Sequence, residues 1–91
     1  MNFEFTKNAW EDFEYWIEND KDTVVKIKNL LKSIQQSPFK GLGKPEPLKY
    51  TLKGFWSRRI TQEHRLVYKV TGKKGENQKC HIIQCRFHYG D

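Results

Sequence analysis

Three residues far apart in the chain, Glu46, Arg65 and His88, are of types that together could break an RNA strand without a metal. RNA carries its own nucleophile, the 2′-hydroxyl, which can attack the adjacent phosphate. That reaction asks for a base to take the 2′ proton, a cation beside the phosphorane and an acid for the departing 5′ oxygen. A carboxylate, a guanidinium and an imidazole can fill those roles. Taken singly, each of the three is more often a solvated surface side chain, so the case rests on the fold bringing them together.

Charge patterning favours a polyanionic partner. The chain of 91 residues carries 17 Lys and Arg against 11 Asp and Glu, a net charge of +6. Seven of the 11 acids fall between Glu4 and Asp22, whereas from Thr23 onward 15 bases face four acids. One basic end fits phosphate contacts and fast encounter with a nucleic acid. A solvated basic surface kept for solubility explains the charge alone equally well.

The elements that must position these groups follow from periodicity. Asn2 to Thr6 alternate, with Phe3 and Phe5 on one side, which predicts a short strand. Ala9, Trp10, Phe13, Trp16 and Ile17 recur at helical spacing, and Val24, Ile27, Leu30, Leu31 and Ile34 repeat the pattern after a break at Asn19-Asp20. Asp20 is placed to cap the second helix, and Ser37-Pro38 to end it. Residues 39–47 hold two Gly and two Pro and read as a loop. The period then changes to two, predicting strands at Leu48–Leu52, Phe55–Ile60, Arg65–Val70 and Cys80–Phe87. The expected fold is therefore α+β and a single domain over residues 1–91: a short strand, a two-helix hairpin and an antiparallel meander, with the helices on one sheet face.

Alternation also predicts what each face carries. Leu66, Tyr68 and Val70, and Ile83, Cys85 and Phe87, should pack on the helices. Arg65, Val67, Lys69, Gln84, Arg86 and His88 should face outward, joined by Arg59. Glu46 and Lys49 enter from the preceding loop and strand, and Tyr50 and Tyr89 lie nearby. Basic groups interleaved with aromatics suit a single RNA strand, with phosphates on Arg or Lys and bases on rings. The four acids after residue 22 are too few to pair the 15 bases of that stretch.

Cys80 and Cys85 lie five positions apart on one predicted strand and so should point to opposite faces, which disfavours a mutual disulfide. With no CxxC or Cys/His ligand spacing, no metal or other cofactor is expected, and a reducing cytoplasm fits. No apolar run of membrane length and no signal-peptide pattern is present, so a soluble protein without a membrane partner is expected.

The stretches Gly43-Lys44-Pro45-Glu46-Pro47-Leu48-Lys49, Gly54-Phe55-Trp56-Ser57-Arg58-Arg59-Ile60, Glu63-His64-Arg65-Leu66-Val67-Tyr68 and Cys85-Arg86-Phe87-His88-Tyr89 give the chain a strong resemblance to the YoeB family within the wider RelE-type toxins. The resemblance spans nearly the whole chain. It implies the toxin of a type II toxin–antitoxin system, a metal-independent, ribosome-dependent endoribonuclease that cleaves mRNA in the A site of the 70S ribosome and so inhibits translation. It further implies a YefM-like antitoxin and a homodimer. By position, Glu46 matches the family's general base, Arg65 its transition-state stabiliser and His88 its general acid. Lys49 and Arg59 match phosphate-binding positions and Tyr89 a substrate-positioning residue; Arg86 joins the substrate contacts from the predicted outer face. The sequence departs from the family in a longer, more basic loop over residues 71–79, in Phe87 where Tyr is common, and in Gly90-Asp91 after the usual end. The competing function class is a non-catalytic RNA- or ribosome-binding module on the same scaffold, which would account for the charge and aromatics without requiring Glu46 and His88 to converge. A purely structural partner-binding protein would explain the helices but not the basic face.

Overall fold

A computed structural model describes residues 1–88. Strand β1 (Asn2–Phe5) leads into helix α1 (Lys7–Asn19), then helix α2 (Lys21–Gln36). Strands β2 (Glu46–Pro47), β3 (Trp56–Arg59), β4 (Arg65–Thr71) and β5 (Lys79–Gln84) follow. The sheet order is β1-β5-β4-β3-β2: an antiparallel meander from β2 to β5, with β1 added parallel to β5.

Side-chain caps set both helix starts. Thr6 Oγ1 accepts from the Ala9 amide at 3.1 Å. Asp20 alone separates the helices: its amide donates to Trp16 O and closes α1, while its carboxylate accepts from the Thr23 amide and hydroxyl and opens α2. Ala9, Trp16, Ile27, Leu30 and Ile34 pack on Leu66, Tyr68, Cys80, Ile82 and Cys85 to form the core. Trp10 and Ile17, expected in the α1 stripe, stay 46% exposed. They lie one heptad apart on the flank of the stripe, roughly 80–100° around the helix from Ala9.

Two predicted strands are corrected. Leu48–Leu52 is not a strand; the pairing is made earlier, where Glu46 and Pro47 oppose Ser57 and Trp56 in a stretch expected to be loop. Tyr50 takes a φ of +58°, which ends the extended run, and a 3-10 turn spans Tyr50–Leu52. A two-residue edge strand tolerates its proline because an edge needs fewer amide donors.

The alternation expected for β5 also fails, at a bulge. Tyr68 opposes Ile82 but Val67 opposes Gln84, so Ile83 is an extra residue on β5. The core therefore takes Cys80 and Ile82 before the bulge and Cys85 after it. Ile83 is only half-buried and Phe87 is exposed, rather than packed on the helices. The two cysteines share a face after all, and both are free and fully buried. Burial pushes each thiol up to about 12. Val67, expected to face outward, is fully buried between Ser57 and Gln84 in the cross-strand row.

Arg58 lies on the helix-facing side of β3 and is completely buried. Its guanidinium donates to Tyr68 Oη, Ser33 Oγ, and the carbonyls of Leu42, Ser37 and Lys40, at 2.7–3.1 Å. Those five bonds match the five N–H groups of arginine. Tyr68 Oη in turn donates to Pro38 O at 2.6 Å. One buried cation thus ties residues 37–42 to the sheet with neutral acceptors, just upstream of Lys44 and Glu46. No helix among the described residues is long and apolar enough to cross a membrane.

Candidate active site

A cavity of about 320 Å³ on the sheet is lined by Lys44, Pro45, Glu46, Pro47, Ser57, Arg59, Arg65 and His88. Four segments supply it: β2 with the loop that leads into it, then β3, β4 and the tail after β5. Of the residues singled out from the sequence, Glu46, Arg59, Arg65 and His88 meet here. Lys49 and Arg86 are not among the lining residues, and Tyr89 lies outside the described residues. Lys44 and Ser57 were not singled out. Ser57 could have been found, because it shares the strand parity of Arg59.

The loop approaches the cavity through two left-handed residues, Gly43 at φ +84° and Lys44 at φ +52°. A Cβ on Gly43 would sit 2.7 Å from Leu30 Cδ2 and 3.0 Å from Arg59 O, so both the conformation and the space demand glycine. Gly43 O accepts from the Arg59 amide at 2.7 Å, which registers the loop against β3.

Arg65 is half-buried, and its Nη1 donates to the carbonyls of Thr61, Gln62 and His64 at 2.8–3.1 Å. Those bonds hold the guanidinium by one corner. Among the described residues, no hydrogen bond takes up its Nε or Nη2. Such a pre-oriented donor edge suits a phosphate oxygen.

His88 is delivered by a short tail that has left the sheet but is not loose. The Cys85 amide donates to Asp12 Oδ2 at 3.1 Å, and Trp16 Nε1 donates to Cys85 O at 2.8 Å. Gln84 Nε2 donates to Arg86 O at 2.9 Å. The Phe87 amide donates to His64 Nδ1 at 2.7 Å, and the Arg65 amide donates to Phe87 O at 3.0 Å. Burial raises the Asp12 carboxyl above its usual value, against the opposing pull of the Cys85 amide and Arg86. The Arg86 guanidinium lies 3.4 Å over the Tyr15 ring of α1 and 4.4 Å from the Phe87 ring. It anchors the tail to the helix side by a cation–π stack.

Three basic groups (Lys44, Arg59, Arg65), one carboxylate and one imidazole line a single opening, a set whose chemistry could hold an anion and exchange a proton. Among the described residues, no group of three or more His, Cys, Asp or Glu is arranged to hold a metal ion.

Comparison with known proteins gives a consistent result. A family model described as a YoeB-like toxin of a bacterial type II toxin–antitoxin system matches residues 5–89. Toxin YoeB of Escherichia coli K12 is 51% identical over 89 residues, covering 98% of this chain and 100% of the relative. The structure of a YoeB/ParE toxin from Agrobacterium tumefaciens superposes with a TM-score of 0.92 at 49% identity, covering 98% of this chain and 100% of that one. Staphylococcus aureus YoeB, solved as a dimer, superposes with a TM-score of 0.86 at 46% identity; its heterotetrameric YoeB-YefM complex gives 0.85 at 47%. Each S. aureus comparison covers 98% of both chains.

Proposed function

Because the chain belongs to the YoeB-like toxins of bacterial type II toxin–antitoxin systems, we propose that it is an endoribonuclease that cuts mRNA on the ribosome. The observation that carries this reading is the meeting of Glu46, Arg59, Arg65 and His88 around one cavity, from segments up to 42 positions apart. In the proposed reaction Glu46 takes the proton from the 2′-hydroxyl. The 2′ oxygen attacks the adjacent phosphorus, and Arg65 neutralises the charge gathering on the phosphorane. His88 protonates the departing 5′ oxygen as its bond to phosphorus breaks. Arg59 and Lys44 hold flanking phosphates, and Ser57 lines the same cavity. Lys49 and Tyr89 would extend the contacts outward.

The ribosome's part in this reading is positioning. A cavity of about 320 Å³ has room for little more than the nucleotide at the cut, so it orients little of a floppy single strand. A decoding-site codon arrives already ordered, which removes that entropy from the barrier. A YefM-like antitoxin, of the kind found with the S. aureus relative, would hold the toxin inactive. The basic face offers an acidic or disordered segment of such a partner charge-assisted encounter.

The test is single-turnover cleavage of one mRNA, free and programmed into ribosomes, with analysis of the new ends. The expected products carry a 2′,3′-cyclic phosphate and a 5′-hydroxyl, with faster cutting on the ribosome. A 5′-phosphate would mean that water or hydroxide attacks, and the roles of Glu46 and His88 would fall. A wild-type protein that binds ribosomes and cuts nothing would favour the binding-module reading.

A further inference from the structure

We propose that His64 is a positioning residue of this site, locking Phe87 in a left-handed conformation and thereby aiming His88 into the cavity. The inference rests on the role given to His88 above. Phe87 has a φ of +64°, a region that side chains other than glycine rarely adopt. Strand β5 ends at Gln84, so the regular sheet ladder does not impose this conformation. Two hydrogen bonds do, one on each side of the residue. The Phe87 amide donates to His64 Nδ1 at 2.7 Å, and the Phe87 carbonyl accepts from the Arg65 amide at 3.0 Å. Neighbouring residues of β4 and its approach thus grip both polar groups of the residue immediately before the proposed acid.

The grip depends on which ring nitrogen carries the proton. A ring nitrogen that accepts an amide proton carries none itself, so the neutral ring holds its proton on Nε2. The ring is also wedged in place: it meets Trp16 edge-on at 4.8 Å between centroids and Phe87 at 5.9 Å. If the Nδ1 bond is lost, Phe87 can relax to the ordinary region at negative φ, a rotation of roughly 130°. That rotation would swing His88 away from Glu46 and Arg65. Proton transfer tolerates little misplacement, so the chemistry should suffer more than binding does.

Two substitutions separate this role from packing. Asn carries an acceptor where His has Nδ1, but loses the contact with Trp16; Leu keeps apolar bulk but offers no acceptor. For His64→Leu we expect faster hydrogen exchange at the Phe87 amide. We also expect a single-turnover cleavage rate lower by roughly a hundredfold, with ribosome affinity and melting temperature near wild type. His64→Asn should recover most of the rate despite a lower melting temperature. In wild type, long-range ¹⁵N correlations of the His64 ring should show an unprotonated Nδ1. Cleavage that follows melting temperature across the two variants, or wild-type cleavage by His64→Leu, overturns the positioning role and leaves the nuclease reading intact. A wild type that cuts nothing removes the nuclease reading and, with it, the aiming of His88; exchange at Phe87 and the ring tautomer would then judge the clamp alone.

Discussion

Gly43 and Arg59 meet through their backbones, the Gly43 carbonyl accepting from the Arg59 amide at 2.7 Å. This contact brings the loop that carries Lys44 and leads into Glu46 of β2 against the strand that carries Arg59. Gly43→Ala must place a methyl against Leu30 and the Arg59 carbonyl at a positive φ. A stability loss of roughly 1–3 kcal/mol is expected, with reduced cleavage as Glu46 shifts. A denaturant titration that leaves the unfolding midpoint unchanged would show that the loop does not need this close approach.

The three groups assigned to chemistry should separate cutting from folding. Glu46 and His88 are exposed and Arg65 is half-buried. Glu46→Gln, Arg65→Ala and His88→Ala should each lower single-turnover cleavage on the order of a hundredfold or more, while ribosome affinity changes far less. Full activity in any one of them removes that residue from the set.

Arg58 should behave oppositely, as a stability residue. Truncation to alanine takes the side-chain donor from the carbonyls of Lys40 and Leu42 and leaves Ser37 O only the long bond from the Lys40 amide, 3.4 Å. The expected cost is roughly 3 kcal/mol or more. Lysine, with three donors for five acceptors, should recover only part of it. Equal urea midpoints for Arg58→Lys and wild type would contradict the account of the buried guanidinium.

Two carboxylates should give acid-range stability profiles of opposite sign. Burial raises Asp12 above 3.8, so its contribution is fully present below that value and is lost as pH climbs through the folded-state value. Hydrogen bonds from the Thr23 hydroxyl and amide lower Asp20 below 3.8; its contribution is present above 3.8 and is lost as pH falls through the folded-state value. Asp12→Asn keeps an acceptor for the Cys85 amide and should flatten the first trend. Asp20→Asn should flatten the second. Unfolding measured from acid to neutral pH on both variants checks this, and two trends of the same sign would refute it.

Both thiols should be inert in the native state. A rise from 9.0 to about 12 lowers the thiolate fraction by roughly a thousandfold, before burial restricts access. Alkylation at mildly alkaline pH should label Cys80 and Cys85 only as fast as the protein unfolds. Rapid stoichiometric labelling of the folded protein would place at least one of them outside the core.

Much of this architecture is legible in the residues themselves. The helices are, because Ala9, Trp16, Ile27 and Ile34 recur at a period no strand shares, and Asp20 is a capping residue wherever a helix begins. The Leu48–Leu52 segment misleads, because its alternation is real but Tyr50 turns left-handed, and alternation carries no information about φ. The bulge at Ile83 is equally hidden: Cys80 to Phe87 reads as one uninterrupted strand, and only the pairing partner reveals the extra residue. At the site, Arg59 and Arg65 could be assigned from strand parity, and Ser57 with Arg59. Arg86 could not, since its stack on Tyr15 joins residues 71 positions apart. Parity also turns Arg58 inward with Trp56 and Ile60, but the partners that satisfy it there are mostly backbone carbonyls, which leave no trace in residue type.

The extra residue in β5 also works as a counter. Up to Ile82 the even-numbered residues face the core and after Ile83 the odd-numbered Cys85 does, so the strand stays in step with β4 while its residue parity reverses. Residue number and sheet face are thereby decoupled over the last stretch of the chain. Were β4 and β5 to pair without the bulge, Ile83 opposite Val67 and Gln84 opposite Leu66, the chain would keep its composition and its helices, yet Cys85 would leave the core and the tail that carries His88 would start from the other face of the sheet.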